Sequence, residues 1–117
     1  MINQERRRSG GSLRGRPKKH RIVQKEPYIY RYSPRGRAGR PDEIILEMDQ
    51  LEALRLADYR ALSQKDAARS MGVSQQTFSR ILKKGRKILA DGVVNGKIII
   101  IQAKDYVELP AGKEYVI

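Results

Sequence analysis

The residues with the clearest potential for chemistry lie in the segment 74–87, where amide, hydroxyl and cationic side chains recur and no carboxylate follows until Asp91. At about 100° of rotation per residue, a helix through this segment has one polar side with charge of a single sign. The side chains opposite its apolar stripe are Gln76, Arg80, Lys83 and Lys87, and those beside them are Gln75, Ser79, Lys84 and Arg86. Solvated helix faces usually mix acidic and basic residues, because such pairs stabilise them. Cations and amides alone suit a surface that binds phosphates and base edges.

Position along this helix separates two predicted roles. The first turns of such a helix enter the major groove of DNA, where glutamine can pair with adenine and arginine with guanine. The predicted base-reading residues are Ser74, Gln75, Gln76, Ser79 and Arg80, of which Gln76 and Arg80 are the strongest candidates. The predicted phosphate contacts, further along, are Lys83, Lys84, Arg86 and Lys87.

A helix-turn-helix would position these side chains. Ala68 is small where two steeply crossing helices approach each other most closely, and Gly72, four residues later, permits the turn. The residues predicted to pack this unit are Ala67, Ala68, Met71, Gly72, Val73, Phe78 and Ile81. The alternative is a plain three-helix bundle in which Gly72 only ends a helix. The charge of a single sign on the outward face argues against it.

Capping residues predict where the first two helices begin. Asp49 followed by Glu52 has the spacing of a capping box and predicts the start of the first helix. The apolar stripe of that helix is Leu51, Leu54, Ala57 and Ala61. Ser63 with Asp66 repeats the capping signal and predicts a second helix over about 64–71.

The third helix is predicted to be the longest. Ser74 is a good N-cap, and Asn95-Gly96 is a plausible stop. Its buried face is predicted from Phe78, Ile81, Leu82, Gly85, Ile88 and Leu89.

Strand-like segments flank the helices. Residues 22–32, 43–48 and 97–102 are candidate strands, and 106–109 with 113–117 could form a hairpin around Pro110-Ala111-Gly112. Strands 43–48 and 97–102 are expected to pair and bracket the helices, as in winged variants. In the first strand, Tyr28, Tyr30 and Tyr32 alternate. Such tyrosines are usually core residues or cross-strand partners, although they could stack on single-stranded bases.

The N-terminal part of the chain is strongly basic. Residues 1–40 carry 13 basic and 2 acidic side chains, whereas residues 41–117 carry 12 and 11. Residues 1–20 are poor in apolar side chains and are predicted to be a disordered arm. Within it, Arg14, Gly15, Arg16, Pro17, Lys18 and Lys19 resemble an AT-hook, which inserts Arg-Gly-Arg into the minor groove of A·T-rich DNA. A generic basic tail that binds any polyanion is the alternative.

Composition argues against several other classes. The chain has no Cys and a single His, His20, so thiolate zinc sites, Cys nucleophiles and imidazole pairs are not expected. Asp42, Glu43 and Glu47 have no paired base or nucleophile and are interpreted as surface charges of a strand and a cap. We therefore expect no enzymatic activity, no catalytic residues, no cofactor and no metal. The longest apolar run, Ile98–Ile101, is too short for a bilayer, so we expect a cytoplasmic protein without membrane contact. The expected binding of DNA predicts that it is nucleoid-associated.

Three segments together resemble a known family. They are Gly-Arg-Pro-Lys-Lys at 15–19, Leu-Glu-Met-Asp-Gln-Leu-Glu-Ala-Leu-Arg-Leu-Ala-Asp at 46–58, and residues 62–78. Over about residues 15–101 the chain is similar to the prokaryotic domain of unknown function 134 family of small predicted DNA-binding proteins. That resemblance implies a helix-turn-helix like region four of bacterial sigma factors, a role in transcription and no reaction. Members often carry Cys shortly after Gly-Arg-Pro, where this chain has His20. If some members bind a metal there, this chain is not expected to do so.

The sequence as a whole predicts a mainly α protein with minor β: a three-helix helix-turn-helix core bracketed by short strands, with a disordered basic N-terminal arm. We expect the arm at 1–20, the helix-turn-helix domain with flanking strands at 21–101, and a tail or β-hairpin at 102–117. The predicted function is sequence-preferring binding of double-stranded DNA as a transcriptional regulator. The recognition helix would lie in the major groove and the arm on the minor groove or phosphates.

Two rival functions and one question of assembly stay open. The first rival is binding of structured RNA such as ribosomal RNA, because a basic arm does not distinguish polyanions. The second is a sigma-like module that contacts RNA polymerase. A homodimer is also open, with Ile98–Ile101 and residues 115–117 as candidate interface strands that could equally pack internally.

Overall fold

The computed structural model describes residues 21–102 and the short strands Val107–Glu108 and Tyr115–Val116. In chain order the elements are β1 (Ile22–Val23), β2 (Arg31–Tyr32), β3 (Glu43–Glu47), α1 (Met48–Leu54), a π-helical segment called here the π turn (Arg55–Tyr59), α2 (Gln64–Met71), α3 (Gln75–Asn95), β4 (Ile98–Gln102), β5 (Val107–Glu108) and β6 (Tyr115–Val116). The predicted mainly α architecture with minor strands is confirmed. The predicted arm, with residues 14–19 and His20, lies outside the described residues.

Two small sheets flank the helices. In one, β3 pairs with β4 from Glu43 opposite Ile98 to Glu47 opposite Gln102, so the predicted pairing of these strands is confirmed. The strands are parallel, which requires a long crossover connection, and all three helices lie in that connection. β2 runs antiparallel on the other side of β4.

The second sheet has the order β1-β6-β5. The strand pairing of the predicted C-terminal hairpin is confirmed, because β5 and β6 pair antiparallel. Its turn, at residues 110–112, lies outside the described residues.

The core lies between the helices and the β3–β4 pair. Leu56, Met71 and Phe78 have no exposed surface, and they pack with Leu46 and Ile99 from the strands. The C-terminal half of α3 lies so close to the sheet that a side chain at position 92 would require the Ile99 side chain to move. A Cβ on Gly92 would be 2.6 Å from Cδ1 of Ile99.

Local capping explains the bounds of α2 and α3. The hydroxyls of Ser63 and Ser74 each accept the backbone N–H three residues on, at 3.1 and 3.0 Å. Gly72 ends α2 and Gly96 ends α3, both in the left-handed conformation, with φ of 67° and 62°. The predicted second helix, the Ser74 cap and the stop at Asn95-Gly96 are all confirmed.

The predicted start of α1 at Asp49 is wrong. The N-cap is Glu47, which ends β3 in extended backbone, so the strand passes directly into the helix. The side chain of Gln50 returns to accept the backbone N–H of Glu47 at 2.9 Å, and Asp49 lies in the first turn. Glu52 therefore does not close a capping box, and its side chain is buried.

The continuous helical stripe predicted from Leu51 to Ala61 is also wrong. After Leu54 the chain widens into the π turn, with the N–H of Arg60 donating to the carbonyl of Arg55 at 2.8 Å. Ala61 follows with a φ of 58°, which breaks the helix before α2.

The predicted strand 22–32 is interrupted. Only β1 and β2 form, and Tyr28 and Tyr30 lie between them. Pro27 lies in this interval, and proline cannot donate to a strand ladder. Tyr28, Tyr30 and Tyr32 are all exposed, so their interpretation as core residues is wrong. Tyr32 lies opposite Ile99 in the β2–β4 pair, and the carbonyl of Tyr30 accepts from the N–H of Ile101.

Candidate nucleic-acid interface

The α2–α3 unit consists of two helices joined by the three-residue turn at positions 72–74. Ala67, Ala68 and Met71 of α2 are buried against Phe78 and Ile81 of α3. Val73 is partly buried, while Gly72 lies exposed in the turn. The small side chains of α2 thus allow the two helices to approach closely around Phe78.

The outward side of α3 is fully exposed along its first turns and its middle. We call this surface the polar face; its residues are Gln75, Gln76, Ser79, Arg80, Lys83, Lys84, Arg86 and Lys87, and every one of them is exposed. The opposite side carries the buried residues Phe78, Ile81, Leu82, Gly85 and Gly92. Ile88 is partly buried and Leu89 is exposed, so the apolar side narrows toward the end of the helix.

Ser74 differs from the other predicted base-reading residues. Its hydroxyl caps α3 and donates to Oγ1 of Thr77 at 2.9 Å. This side chain is therefore engaged in positioning the first turn, while Gln75, Gln76, Ser79 and Arg80 extend from that turn into solvent.

Most cations of the polar face have no acidic partner. Within residues 21–102, Arg80, Lys83 and Lys84 make no ion pair. The charge of Lys87 acts on Asp91 one turn away, as the last of several causes that lower the pKa of Asp91. These lysines and Arg80 thus form a positive surface along the outside of α3.

Arg86 is the exception on this face. Its guanidinium donates two hydrogen bonds to Asp58 of the π turn, at 2.7 and 3.1 Å. Those bonds lower the pKa of the Asp58 carboxyl and raise the pKa of Arg86. Sequence reasoning missed this partner because Asp58 lies on another element, outside the local window in which helix charges are compared.

The C-terminal end of α3 is held by polar contacts. Arg37 donates to the carbonyl of Gly96 at 2.9 Å and also to that of Asn95. Asp91 accepts from the Asn95 side chain at 2.6 Å and from Lys97 at 3.0 Å, and both bonds lower its pKa. The cations at this end therefore serve to hold the helix against the sheet.

The chain enters the described fold beside the turn that precedes α3. Ile22 of β1 lies 3.4 Å from the position that a Cβ would take on Gly72. Arg21 forms an ion pair with Asp49, with 3.5 Å between Nε and Oδ2. Arg21, where the described chain begins, thus lies close to the turn between α2 and α3 and to the first turn of α1.

A buried carboxylate fixes this entry segment. The backbone N–H of Gln24 donates to Glu52 at 3.0 Å, and Arg55 donates to both oxygens of Glu52 at 2.7 and 2.9 Å. Glu52 is only 2% exposed, and the hydrogen bonds that Arg55 donates to it raise the pKa of Arg55. Sequence reasoning assigned Glu52 to a cap and missed this role, since the partner Gln24 lies far away in the chain.

In the described part of the chain, no group of three or more Asp, Glu, His or Cys side chains could hold a metal ion. Among the helices between residues 21 and 102, none has the length and apolar character needed to cross a membrane.

In this mainly α fold, α2 and α3 pack together across a three-residue turn, and α3 exposes a polar face dominated by cations. A family model described as "Protein of unknown function DUF134" matches residues 7–109. The chain belongs to this family.

Curated relatives carry the name UPF0251 protein. Proteins of that name from Prosthecochloris aestuarii, Desulfosudis oleivorans and Methanococcus vannielii are 43%, 44% and 42% identical over 75%, 78% and 75% of this chain. The matches cover 57%, 67% and 68% of those relatives, so the chain spans little more than half of the first one. No solved structure matches the chain.

Proposed function

We propose that this protein binds double-stranded DNA with sequence preference and acts as a transcriptional regulator. The first turns of α3 would lie in the major groove, where Gln75, Gln76, Ser79 and Arg80 contact base edges. Lys83, Lys84 and Lys87 would neutralise phosphates further along. Arg86 would contribute to phosphate binding only after it leaves Asp58. The sigma-like character and the nucleoid association expected from the sequence belong to the same proposal.

The observation that carries the proposal is the composition of the polar face. Arg80, Lys83 and Lys84 are exposed and lack acidic partners in the described ranges. They follow glutamines on the same side of α3, and the opposite side of this helix packs into the core. Maintaining unpaired cations on a single surface costs self-repulsion. The phosphates of a nucleic acid would compensate that repulsion, and its base edges would supply hydrogen-bond partners for the amides.

The entry of the chain beside Gly72 supports a role for the basic arm on the same duplex. An extension attached near the first turn of a recognition helix is placed to reach the neighbouring minor groove. The Arg14 to Lys19 segment, which resembles an AT-hook, would contact that groove or its phosphates.

The test is a selection of bound duplexes from a random pool at roughly physiological salt, with excess ribosomal RNA as competitor. We expect an enriched motif with an A·T-rich flank, and we expect the flank to disappear when residues 1–20 are removed. Arg80→Ala and Gln76→Ala should each relax preference at particular base pairs, by about 1–3 kcal/mol for a bidentate contact.

Arg69→Ala is the matched control, because Arg69 is an exposed arginine on α2 rather than on α3. It should leave the ranking of duplexes unchanged. If Arg80→Ala and Gln76→Ala weaken all duplexes equally, the base-reading assignment is wrong. Recovery of the protein on ribosomal RNA, without any enriched duplex, would favour the RNA rival. Selective capture of RNA polymerase without nucleic acid would favour the sigma-like rival.

A further inference from the structure

A second surface carries exposed aromatic rings beside cations, at strand β2 and the segments on either side of it. We call it the aromatic-basic edge; its residues are Lys25, Tyr28, Tyr32, Arg35 and Arg40. Tyr28 is 87% exposed and Tyr32 is 51% exposed. Neither ring contributes to the core, although tyrosines usually bury their apolar body when they serve the fold.

The charge of this surface is positive and only partly used by the fold. Residues 21–40 carry six basic side chains and one acidic side chain. Arg31 is paired with Glu43 at 3.2 Å, and Arg37 is bound to the end of α3. In the described residues, Lys25, Arg35 and Arg40 form no ion pair. Arg21 is paired with Asp49, so three of the six cations remain, in the same segment as the two exposed rings.

Tyr28 and Lys25 already show how a ring and a cation are combined here. The ammonium of Lys25 lies 4.9 Å from the centroid of the Tyr28 ring, a cation–π distance. The exposure of Tyr28 leaves the rest of the ring open to solvent. A nucleotide whose base stacks on the exposed part of the Tyr28 ring would bring its phosphate close to the positive charge of Lys25.

The backbone of this surface is anchored to the fold. Tyr32 pairs with Ile99 in the sheet, and the N–H of Ile101 donates to the carbonyl of Tyr30 at 2.8 Å. Arg37 ties the following loop to the last carbonyls of α3. Rings and cations held on a fixed backbone lose less conformational freedom on binding than those on a free tail.

We propose that the aromatic-basic edge binds unpaired nucleotides of a single-stranded nucleic acid. Tyr28 and Tyr32 stack on bases, and Lys25, Arg35 and Arg40 neutralise the backbone. The loop that carries Arg35 and Arg40 is held by Arg37 at the C-terminal end of α3, opposite the first turns of this 21-residue helix. A helix of that length extends about 30 Å. The inference therefore goes beyond the proposed duplex binding and does not depend on it.

Tyr28→Trp provides the direct test, because the chain has no Trp of its own. The probes are ten-nucleotide oligo(dT), oligo(U) and an abasic strand of the same length. We expect quenching of the Trp fluorescence by oligo(dT), oligo(U) or both, and the tighter of the two identifies the source as DNA or RNA. The abasic strand should bind more weakly and quench little. Absence of quenching by both base-containing strands, or equal affinity for the abasic strand, would overturn the proposal.

A set of alanine variants separates this surface from the rest of the molecule. Tyr28→Ala and Tyr32→Ala should each weaken single-strand binding at least about fivefold, the lower end for a stacked base. Tyr59→Ala is the matched control, since Tyr59 is 86% exposed but lies on the π turn. Equal losses in all three variants would contradict the proposal. Saturation of the Tyr28→Trp protein with duplex should leave the quenching intact, and full competition would show that the two sites are one.

Discussion

The two ends of α3 use their cations differently. In the first and middle turns, Arg80, Lys83 and Lys84 extend into solvent without an acidic partner in residues 21–102. Toward the C-terminal end, the cations contact Asp58, Asp91 or the last carbonyls of the helix. Positive charge that the fold uses can therefore be distinguished from positive charge that it leaves for a ligand. Net charge alone would treat the two groups alike.

The comparison predicts its largest effect for the unpaired lysines. In the Lys83→Ala, Lys84→Ala, Lys87→Ala triple variant, affinity for duplex DNA should fall, because lysines that neutralise phosphates release counterions. The slope of log affinity against log salt should become shallower by about 0.9 for each phosphate that is no longer neutralised. Fluorescence anisotropy over a salt series measures both quantities.

The control for the triple variant is Lys97→Ala, which removes a lysine bound to Asp91 at the other end. It should leave the salt slope unchanged. An equal change of slope in both variants would mean that the two ends of α3 do not differ in function.

A smaller effect, on stability rather than binding, is expected where α3 meets the sheet. Gly92→Ala places a Cβ 2.6 Å from both Cδ1 and Cγ1 of Ile99. Overpacking of this kind costs about 1–3 kcal/mol, against about 1 kcal/mol that alanine gains over glycine inside a helix. We expect the free energy of unfolding to fall in urea titrations, with duplex affinity unchanged. The control is Val93→Ala, since Val93 is exposed and should tolerate the change. A more stable Gly92→Ala protein would show that Ile99 yields easily.

The smallest effect is expected at the ion pair between Arg86 and Asp58, which lies between the unpaired and the paired cations. Asp58→Asn removes the carboxylate that holds Arg86, so duplex affinity should rise and the salt slope should steepen by about 0.9 if Arg86 reaches a phosphate. The control, Glu43→Gln, also removes one negative charge, but from the sheet, and should leave the salt slope unchanged. If both variants raise affinity equally, the gain reflects net charge rather than release of Arg86.

Acid should mimic the Asp58 substitution only at low pH. The folded-state pKa of Asp58 is lowered by its bonds from Arg86, so the ion pair is complete above the ordinary aspartate pKa and is lost only as the pH falls through the lowered value. Near neutral pH Asp58 stays ionised, so duplex affinity should not change with pH through this group.

Local signals were enough to predict α2 and α3, because their bounds depend on single capping residues. Ser63, Gly72, Ser74 and Gly96 each satisfy backbone groups within a few positions of themselves. The start of α1 was mispredicted because Glu47 and Asp49 are both acceptable at a helix start, and only the preceding strand decides between them. The π turn has no comparable local signal.

The candidate interfaces were predictable only in part, because local sequence signals identify exposed residues but not their partners. Helical periodicity predicts which residues of α3 face outward, yet it gives no information about partners on other elements. Asp58 for Arg86 and Gln24 for Glu52 are both contacts between distant segments. Tyr28 and Tyr32 are exposed, whereas alternation alone predicts the opposite. Pro27, which cannot donate to a strand ladder, lies where the predicted strand is interrupted.

The parallel pairing of β3 with β4 has a consequence for the order in which the molecule forms. These strands meet only after the whole helical segment between them has been brought into a compact arrangement, so the pairing costs a large loop-closure entropy. Helices with local caps can form early, whereas parallel strands distant in the chain pair slowly. During synthesis β4 also emerges after α3. Ile44 and Leu46 of β3 therefore stay unpaired with β4 until late. The apolar strand β3 is thus the segment of the nascent chain most exposed to misassociation.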